Sequence, residues 1–123
     1  MSGGADARLL GKWGEQLAAE FLRKKGWRIV QVNYRCRHGE IDIVAANRTY
    51  LAFVEVKMRS TQRYGLPREF VTANKQDKLR AAAELYLTES PTLLQPRFDV
   101  VEIYAPLGVK TKDPVIAYIE NAF

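Results

Sequence analysis

Cysteine and histidine are nearly absent from the 123-residue sequence, which contains Cys36, His38 and no other residue of either type. A single cysteine cannot form an intramolecular disulfide bond, and a tetrahedral zinc site needs three or four cysteine or histidine ligands, so both features are excluded. Any metal site in this chain would have to be built from oxygen ligands. Oxygen ligands are those that Mg²⁺, Mn²⁺ and Ca²⁺ prefer.

Long apolar runs are also absent. No segment approaches the roughly 20 apolar residues that a membrane-spanning helix needs, and the start of the chain, MSGGADARLLGKWGE, lacks the apolar stretch of a secretory signal. We therefore expect a cytoplasmic protein with no membrane partner. The length and the 47% of hydrophobic residues are typical of one domain. We expect residues 7–123 to form this domain after a flexible N-terminus of residues 1–6.

Positive charge is unevenly distributed along the chain. The net charge is +5 overall, but residues 1–80 contain 16 Lys and Arg against 8 Asp and Glu, whereas residues 81–123 contain 3 against 6. A basic segment of this kind suits a polyanion such as nucleic acid. A solubilising surface would have the same composition, so charge alone leaves both interpretations open.

The pattern of apolar residues predicts an α/β fold. Three- and four-residue spacings predict a helix over 7–25, with Asp6 as its N-cap and Gly26 at its end, and a second helix over 72–89 with Thr72 as N-cap. Alternating residues predict five strands, at 27–34, 39–46, 50–59, 97–105 and 114–120. The third strand, second helix and fourth strand would form a right-handed crossover with parallel strands. We expect one mixed five-stranded sheet flanked by helices, with the fifth strand at an edge because Pro114 lacks an N–H donor.

The hairpin over residues 39–59 carries the most informative pattern. Strand alternation places Asp42 on the face opposite Ile41 and Ile43, and Lys57 on the same face as Glu55. A turn centred on residues 48–49 would place Asp42 directly opposite Glu55. Opposed carboxylates repel each other, and a bound divalent cation would remove that repulsion. A register shift of one residue would separate the two carboxylates, and a plain solvated strand edge would show the same Glu-x-Lys pattern.

Three segments on this hairpin resemble the signature of the PD-(D/E)XK nuclease superfamily: Gly39-Glu40-Ile41-Asp42-Ile43-Val44, Phe53-Val54-Glu55-Val56-Lys57, and Arg59. The whole chain from about residue 10 is similar to the YraN-type bacterial family. Further matching segments are Gly14-Glu15, Asn33-Tyr34-Arg35, Gly65, Pro67, Lys75, Arg97-Phe98-Asp99-Val100-Val101 and Asn121-Ala122-Phe123. Ile41 departs from the superfamily pattern, which has proline there.

The resemblance implies a restriction-endonuclease-like αβββαβ core and hydrolysis of phosphodiester bonds with Mg²⁺ or Mn²⁺. It implies that Asp42, Glu55, the backbone carbonyl of Val56, and Glu15 on the first helix are metal ligands. It also implies that Lys57 acts as a base-like or charge-stabilising catalytic residue.

Basic and aromatic residues around the hairpin are candidate nucleic-acid contacts, because arginine and lysine bind phosphate and aromatic rings stack on bases. These candidates are Arg35, Arg37, Arg59, Arg63, Tyr64, Arg68 and Lys75. An ordinary solvated surface is the alternative for each of them. Glu40 lies on the same face as Asp42 but is equally well explained as a surface carboxylate, and we do not assign it as a ligand. We expect Asp99 to be structural and Cys36 not to be catalytic.

Three functions remain open from the sequence. The first is a divalent-metal-dependent nuclease that acts on nucleic acid, in particular on DNA. Branched or structured DNA is one candidate substrate. The second is a nucleic-acid-binding module that retains the nuclease fold without cleaving. The third is an interaction protein whose charged cluster is a surface network. A domain of this size would grip a duplex more easily as a homodimer.

Overall fold

The computed structural model describes residues 3–60 and 71–123, with side chains from residue 7 onward. These residues form two helices and five strands in one α/β domain, with a short 3₁₀ turn before the last strand. The elements are α1 (Gly3–Lys24), β1 (Arg28–Cys36), β2 (Gly39–Ala46), β3 (Tyr50–Arg59), α2 (Ala73–Glu89), β4 (Gln95–Tyr104), the 3₁₀ turn (Gly108–Lys110) and β5 (Val115–Ile119).

The ends of the helices follow local capping rules at two of the three predicted positions. α2 begins after Thr72, whose hydroxyl accepts a hydrogen bond from the backbone N–H of Lys75 at 3.2 Å, as predicted. α1 ends as predicted before Gly26, which has a φ of +96° that glycine adopts without strain. The prediction of Asp6 as N-cap is wrong, because α1 begins at Gly3 and Asp6 lies inside the helix.

The sheet has the strand order β1-β2-β3-β4-β5, with β3 and β4 parallel and the other pairs antiparallel. This arrangement confirms the predicted mixed sheet with β5 at an edge. β1 runs further than predicted and pairs Cys36 with Gly39, so the first turn consists of residues 37 and 38 rather than 35–38.

The two helices cover opposite faces of the sheet. Ile43 and Val54 pack with α1 on one face, whereas Val44 and Phe53 pack with α2 on the other. Each pair consists of direct neighbours across β2 and β3, so the alternation of side chains divides the hairpin between two apolar layers. Burial on both faces explains why these strands read as nearly continuous apolar runs.

A buried charged network fixes the β4–β5 edge. The Asp99 carboxylate, which is fully buried, accepts two hydrogen bonds from the Arg97 guanidinium at 3.0 Å each, one from the Tyr118 hydroxyl and one from the Asn121 backbone N–H at 2.8 Å. Burial opposes the charge of Arg97, but the adjacent Asp99 carboxylate outweighs this effect and raises the pKa of Arg97. The prediction that Asp99 is structural is confirmed.

We predict that Asp99→Asn lowers the free energy of unfolding by about 3 kcal/mol, because it removes the buried carboxylate that pairs with Arg97 and leaves the exposed Glu120, 3.0 Å away, as its counter-ion. Urea denaturation followed by circular dichroism measures this change. Asp113→Asn removes the same charge from an exposed position and serves as the control, with an expected change below about 0.5 kcal/mol. Equal stabilities of the two variants would contradict the proposed role of the network.

Candidate metal centre

The candidate site lies where β2 and β3 separate. The two strands pair from Ile43–Val54 to Ala46–Leu51, in the register that places Asp42 across from Glu55. Beyond Ile43–Val54, β3 remains paired with β4 as far as Arg59. The Asp42 carboxylate accepts a hydrogen bond from the Val56 N–H at 2.8 Å. A side chain therefore occupies the position of a backbone acceptor, and the sheet opens at this point.

The backbone of β1 is distorted at this position, and the alternation of side chains on β2 is interrupted beside it. Asn33, which lies across from Asp42 between two registered pairs, has a φ of +53°, a conformation that asparagine tolerates better than most residues. Ile41 packs under α2 together with Val44, whereas Ile43 packs under α1. The prediction that Ile41 and Ile43 share a face is therefore wrong. The interrupted alternation lets Asp42 reach sideways to β3.

The backbone carbonyl of Val56 points into the same opening. In an extended strand, the N–H and the C=O of one residue lie on the same strand edge, as the paired bonds of an antiparallel ladder require. Because the Val56 N–H is directed toward Asp42, its carbonyl is also directed toward β2. The carbonyl oxygen is thus available on the side where the carboxylates lie.

Asp42 and Glu55 form a close carboxylate pair. Glu55 is 6% exposed and Asp42 is half-buried. Burial raises the pKa of Asp42 to about 9, and the hydrogen bond and the negative charge of Glu55 contribute to the same shift. Without a cation, the pair therefore retains a proton at neutral pH.

Glu15 and Glu40 extend the acidic group. One carboxylate oxygen from each of Glu15, Glu40 and Asp42 lies within 4.8 Å of the other two. Gly14 lies directly against β3, where a β-carbon would overlap the sulfur of Met58 unless that flexible side chain moved. The absence of a side chain at Gly14 lets α1 approach the sheet closely, and Glu15 is the next residue. The sequence offered one signal for Glu40, which is its place two residues before Asp42 on the same strand.

Two lysines flank the carboxylates. The Lys75 ammonium, from the first turn of α2, lies 3.2 Å from a Glu55 carboxylate oxygen. Lys57 is half-buried two residues after Glu55 on β3, so strand alternation places both side chains on the same face. In the described part of the chain, Lys57 has no ion pair.

The remaining predicted nucleic-acid contacts are in varied environments. Arg35 is exposed and lies 3.5 Å from Glu40, and Arg37 is exposed in the turn before β2. Arg59 is largely buried, and its guanidinium lies 3.2 Å from the Glu102 carboxylate, so it is held within the protein. The predicted contacts Arg63, Tyr64 and Arg68 lie outside the described residues.

Among the described residues, neither helix is both long enough and apolar enough to cross a membrane.

Comparison with known proteins identifies the relatives of this chain. A family model described as "Uncharacterised protein family UPF0102" matches residues 14–103. A UPF0102 protein of Syntrophomonas wolfei is 46% identical over 117 residues, which cover 94% of this chain and 98% of that protein. A UPF0102 protein of Caldanaerobacter subterraneus is 40% identical over 117 residues, covering 94% and 95% respectively. The chain therefore belongs to the UPF0102 family, the YraN-type, PD-(D/E)XK-like family that its sequence resembles.

Proposed function

We propose that this protein is a nuclease that depends on Mg²⁺ or Mn²⁺ and hydrolyses phosphodiester bonds of nucleic acid, with DNA as the favoured substrate. The observation that carries the proposal is the opening between β2 and β3. It brings together carboxylates of α1 and β2, places Asp42 beside Glu55 of β3, and has the Val56 carbonyl directed to the same side, with Lys57 at the next position of β3. Family membership supports the proposal, since the resemblance to PD-(D/E)XK nucleases runs through the same residues.

The residues present fit a hard divalent cation. All the donors are oxygens, namely the Asp42, Glu55 and Glu15 carboxylates and the Val56 carbonyl, which is the ligand chemistry that Mg²⁺ and Mn²⁺ prefer. The raised pKa of Asp42 supports the same conclusion, because burial and the neighbouring Glu55 carboxylate both disfavour its negative charge, which a bound cation would stabilise. Glu40 is near enough to Asp42 to join the ligands or to hold a metal-bound water.

Each residue has a defined part in this proposal. A bound cation would supply Lewis-acid polarisation of the phosphate and a more acidic water. The Val56 N–H holds the Asp42 carboxylate in place, and the Lys75 ammonium orients Glu55. The Lys57 ammonium can neutralise charge that develops on the phosphate oxygens, or orient the attacking water. Asp42 must lose its proton before it can coordinate a cation.

We predict that the protein cleaves nucleic acid in the presence of Mn²⁺ and that Asp42→Asn abolishes the cleavage. Lys57→Met should lower the rate by about 100-fold or more, because it removes one charge-stabilising donor from the transition state. The assay incubates duplex, single-stranded and branched DNA, and RNA, with Mn²⁺ or with EDTA and resolves the products by electrophoresis.

The matched controls for this assay are Asp113→Asn and Lys112→Met, which make the same changes at exposed positions outside the site. Both should cleave at the wild-type rate. If no substrate is cut in a metal-dependent way, or if Asp42→Asn and Lys57→Met cleave like their controls, the proposed nuclease is wrong. Salt-dependent binding of DNA without any cleavage would instead assign a nucleic-acid-binding module.

We further predict that the metal-free protein loses stability relative to Asp42→Asn as the pH rises. The pKa of Asp42 is raised from 3.8 to about 9 in the folded protein, so its contribution to stability is complete below about pH 4 and is lost as the pH rises through 9. One proton corresponds to a slope of at most about 1.4 kcal/mol per pH unit. Urea denaturation in EDTA at pH 5, 7 and 9 measures the difference between the two proteins.

The same linkage has a second consequence that a thermal shift assay detects. Because a cation displaces the proton of Asp42, Mg²⁺ or Mn²⁺ should raise the melting temperature more at pH 8 than at pH 6. In Asp42→Asn the metal-induced rise should be small at both pH values. If the metal-induced rise in melting temperature of the wild type exceeds that of Asp42→Asn by the same amount at pH 6 and pH 8, the raised pKa of Asp42 is contradicted.

A further inference from the structure

A basic hollow lies at the end of the hairpin strands away from the acidic opening. Its volume is about 610 Å³, and it is bounded by the end of α1, the start of β1 and the β2–β3 turn. Each of these three segments supplies one cation, Lys25, Arg28 and Arg48 respectively. None of the described residues that line the hollow is acidic.

The three cations have no counter-ion within the part of the chain that the structure describes. Neither Lys25, Arg28 nor Arg48 takes part in an ion pair there. The ammonium of Lys25 instead lies 5.4 Å from the centre of the Phe21 ring, a contact that leaves its charge unneutralised. Three like charges around one hollow repel one another, and an anion placed between them would remove the repulsion.

The backbone around the hollow is fixed by hydrogen bonds. The Asn47 side-chain oxygen accepts from the N–H groups of Thr49 and Tyr50 at 2.9 and 2.7 Å, which holds the turn that carries Arg48. Arg28 is paired with Ala46 at the end of β2. Because these backbone positions are set by the fold, little ordering of the main chain would accompany the binding of an anion.

The position of the hollow relative to the acidic opening suggests what kind of anion it binds. Ala46 borders the hollow and Asp42 borders the opening, four residues apart on the same strand. Four strand residues span about 14 Å, which corresponds to roughly four base-pair steps along the axis of duplex DNA. A polyanion that is bound at the opening could therefore reach the hollow without leaving the surface of the protein.

We propose that the hollow formed by Lys25, Arg28 and Arg48 is a second phosphate-binding surface, which grips the nucleic-acid backbone several nucleotides from the acidic opening. The choice of nucleic acid as the polyanion rests on the proposed function. The binding itself needs neither a metal nor cleavage, so the two proposals can fail separately.

The experiment measures the affinity for a duplex of about 24 base pairs in EDTA, by fluorescence anisotropy, over a series of salt concentrations. Each phosphate contact contributes about 0.9 to the slope of log affinity against log salt concentration. The triple variant Lys25→Gln, Arg28→Gln, Arg48→Gln should lower this slope by about 2.7. The single variant Arg48→Gln, in an exposed turn, should lower it by about 0.9 and guards against misfolding of the triple variant.

The matched control is Arg8→Gln, Lys110→Gln, Lys112→Gln, which removes three charges from exposed positions on α1 and on the β4–β5 connection. It should change the slope by less than 1. Equal slopes for the two triple variants would overturn the proposal. A second result would also overturn it: the triple variant of Lys25, Arg28 and Arg48 keeps the wild-type salt slope for duplex DNA but no longer binds phosphatidylserine vesicles. That result would assign the hollow to a membrane surface.

The cleavage assay separates this proposal from the proposed function. If no substrate is cut but the salt slope falls by about 2.7 in the Lys25→Gln, Arg28→Gln, Arg48→Gln variant, the phosphate-binding surface is supported and the proposed nuclease is wrong. If DNA is cut with Mn²⁺ but the salt slope of this triple variant equals that of the wild type, the nuclease is supported and the second phosphate-binding surface is wrong.

Discussion

The hydrogen bond from the Val56 backbone N–H to the Asp42 carboxylate is the contact on which the candidate site depends. The Asp42 carboxylate accepts from the Val56 N–H of β3 in place of a backbone carbonyl of β2. The two strands can therefore separate without leaving this part-buried N–H unpaired. An unpaired N–H would cost up to about 1–3 kcal/mol, the penalty for a buried group. The same bond fixes Asp42 beside Glu55 and leaves the Val56 carbonyl directed into the gap.

The charges of the opening are costly in the absence of a cation. Glu15, Glu40 and Asp42 come together, with Glu55 beside Asp42, on a scaffold whose core is apolar on both faces of the sheet. The protein relieves the repulsion by retaining a proton on Asp42 and by placing Lys75 against Glu55. Both measures are reversible, since the proton can leave and the lysine reaches the site on a flexible, half-exposed side chain. The clustered carboxylates therefore lower the stability of the metal-free protein and provide a site that can bind a cation.

Rigid elements hold this site in place. α1 approaches β3 closely at Gly14, and α2 is capped by Thr72 one turn before Lys75 faces Glu55. Toward the β5 edge of the sheet, Asp99 of β4 binds Arg97 on its own strand, Tyr118 on β5 and Asn121 just after β5. The carboxylates and lysines therefore come from both faces of one sheet, and their separations follow from backbone packing rather than from loops.

The sequence determined much of this arrangement through local rules. Periodicities of 3.6 and 2 residues and the Thr72 cap predicted the elements and their order, and the length of the β2–β3 turn predicted the register that places Asp42 opposite Glu55. Local rules failed at Asp6 and at Ile41, because helix starts are weakly specified by single residues and because strand alternation assumes an undistorted backbone. The resemblance to a family, and not the pattern itself, suggested Glu15.

Tertiary structure decided which charges meet. Glu40 joins Glu15 and Asp42, Lys75 reaches Glu55, and Arg59 is paired with Glu102 rather than left exposed. Arg48, on the β2–β3 turn, likewise meets Lys25 and Arg28, which lie close together in the chain between α1 and β1. Sequence alone could not assign these neighbours, because a side chain's electrostatic partners depend on how helices pack across the sheet and on where two strands part, and both are long-range properties of the fold.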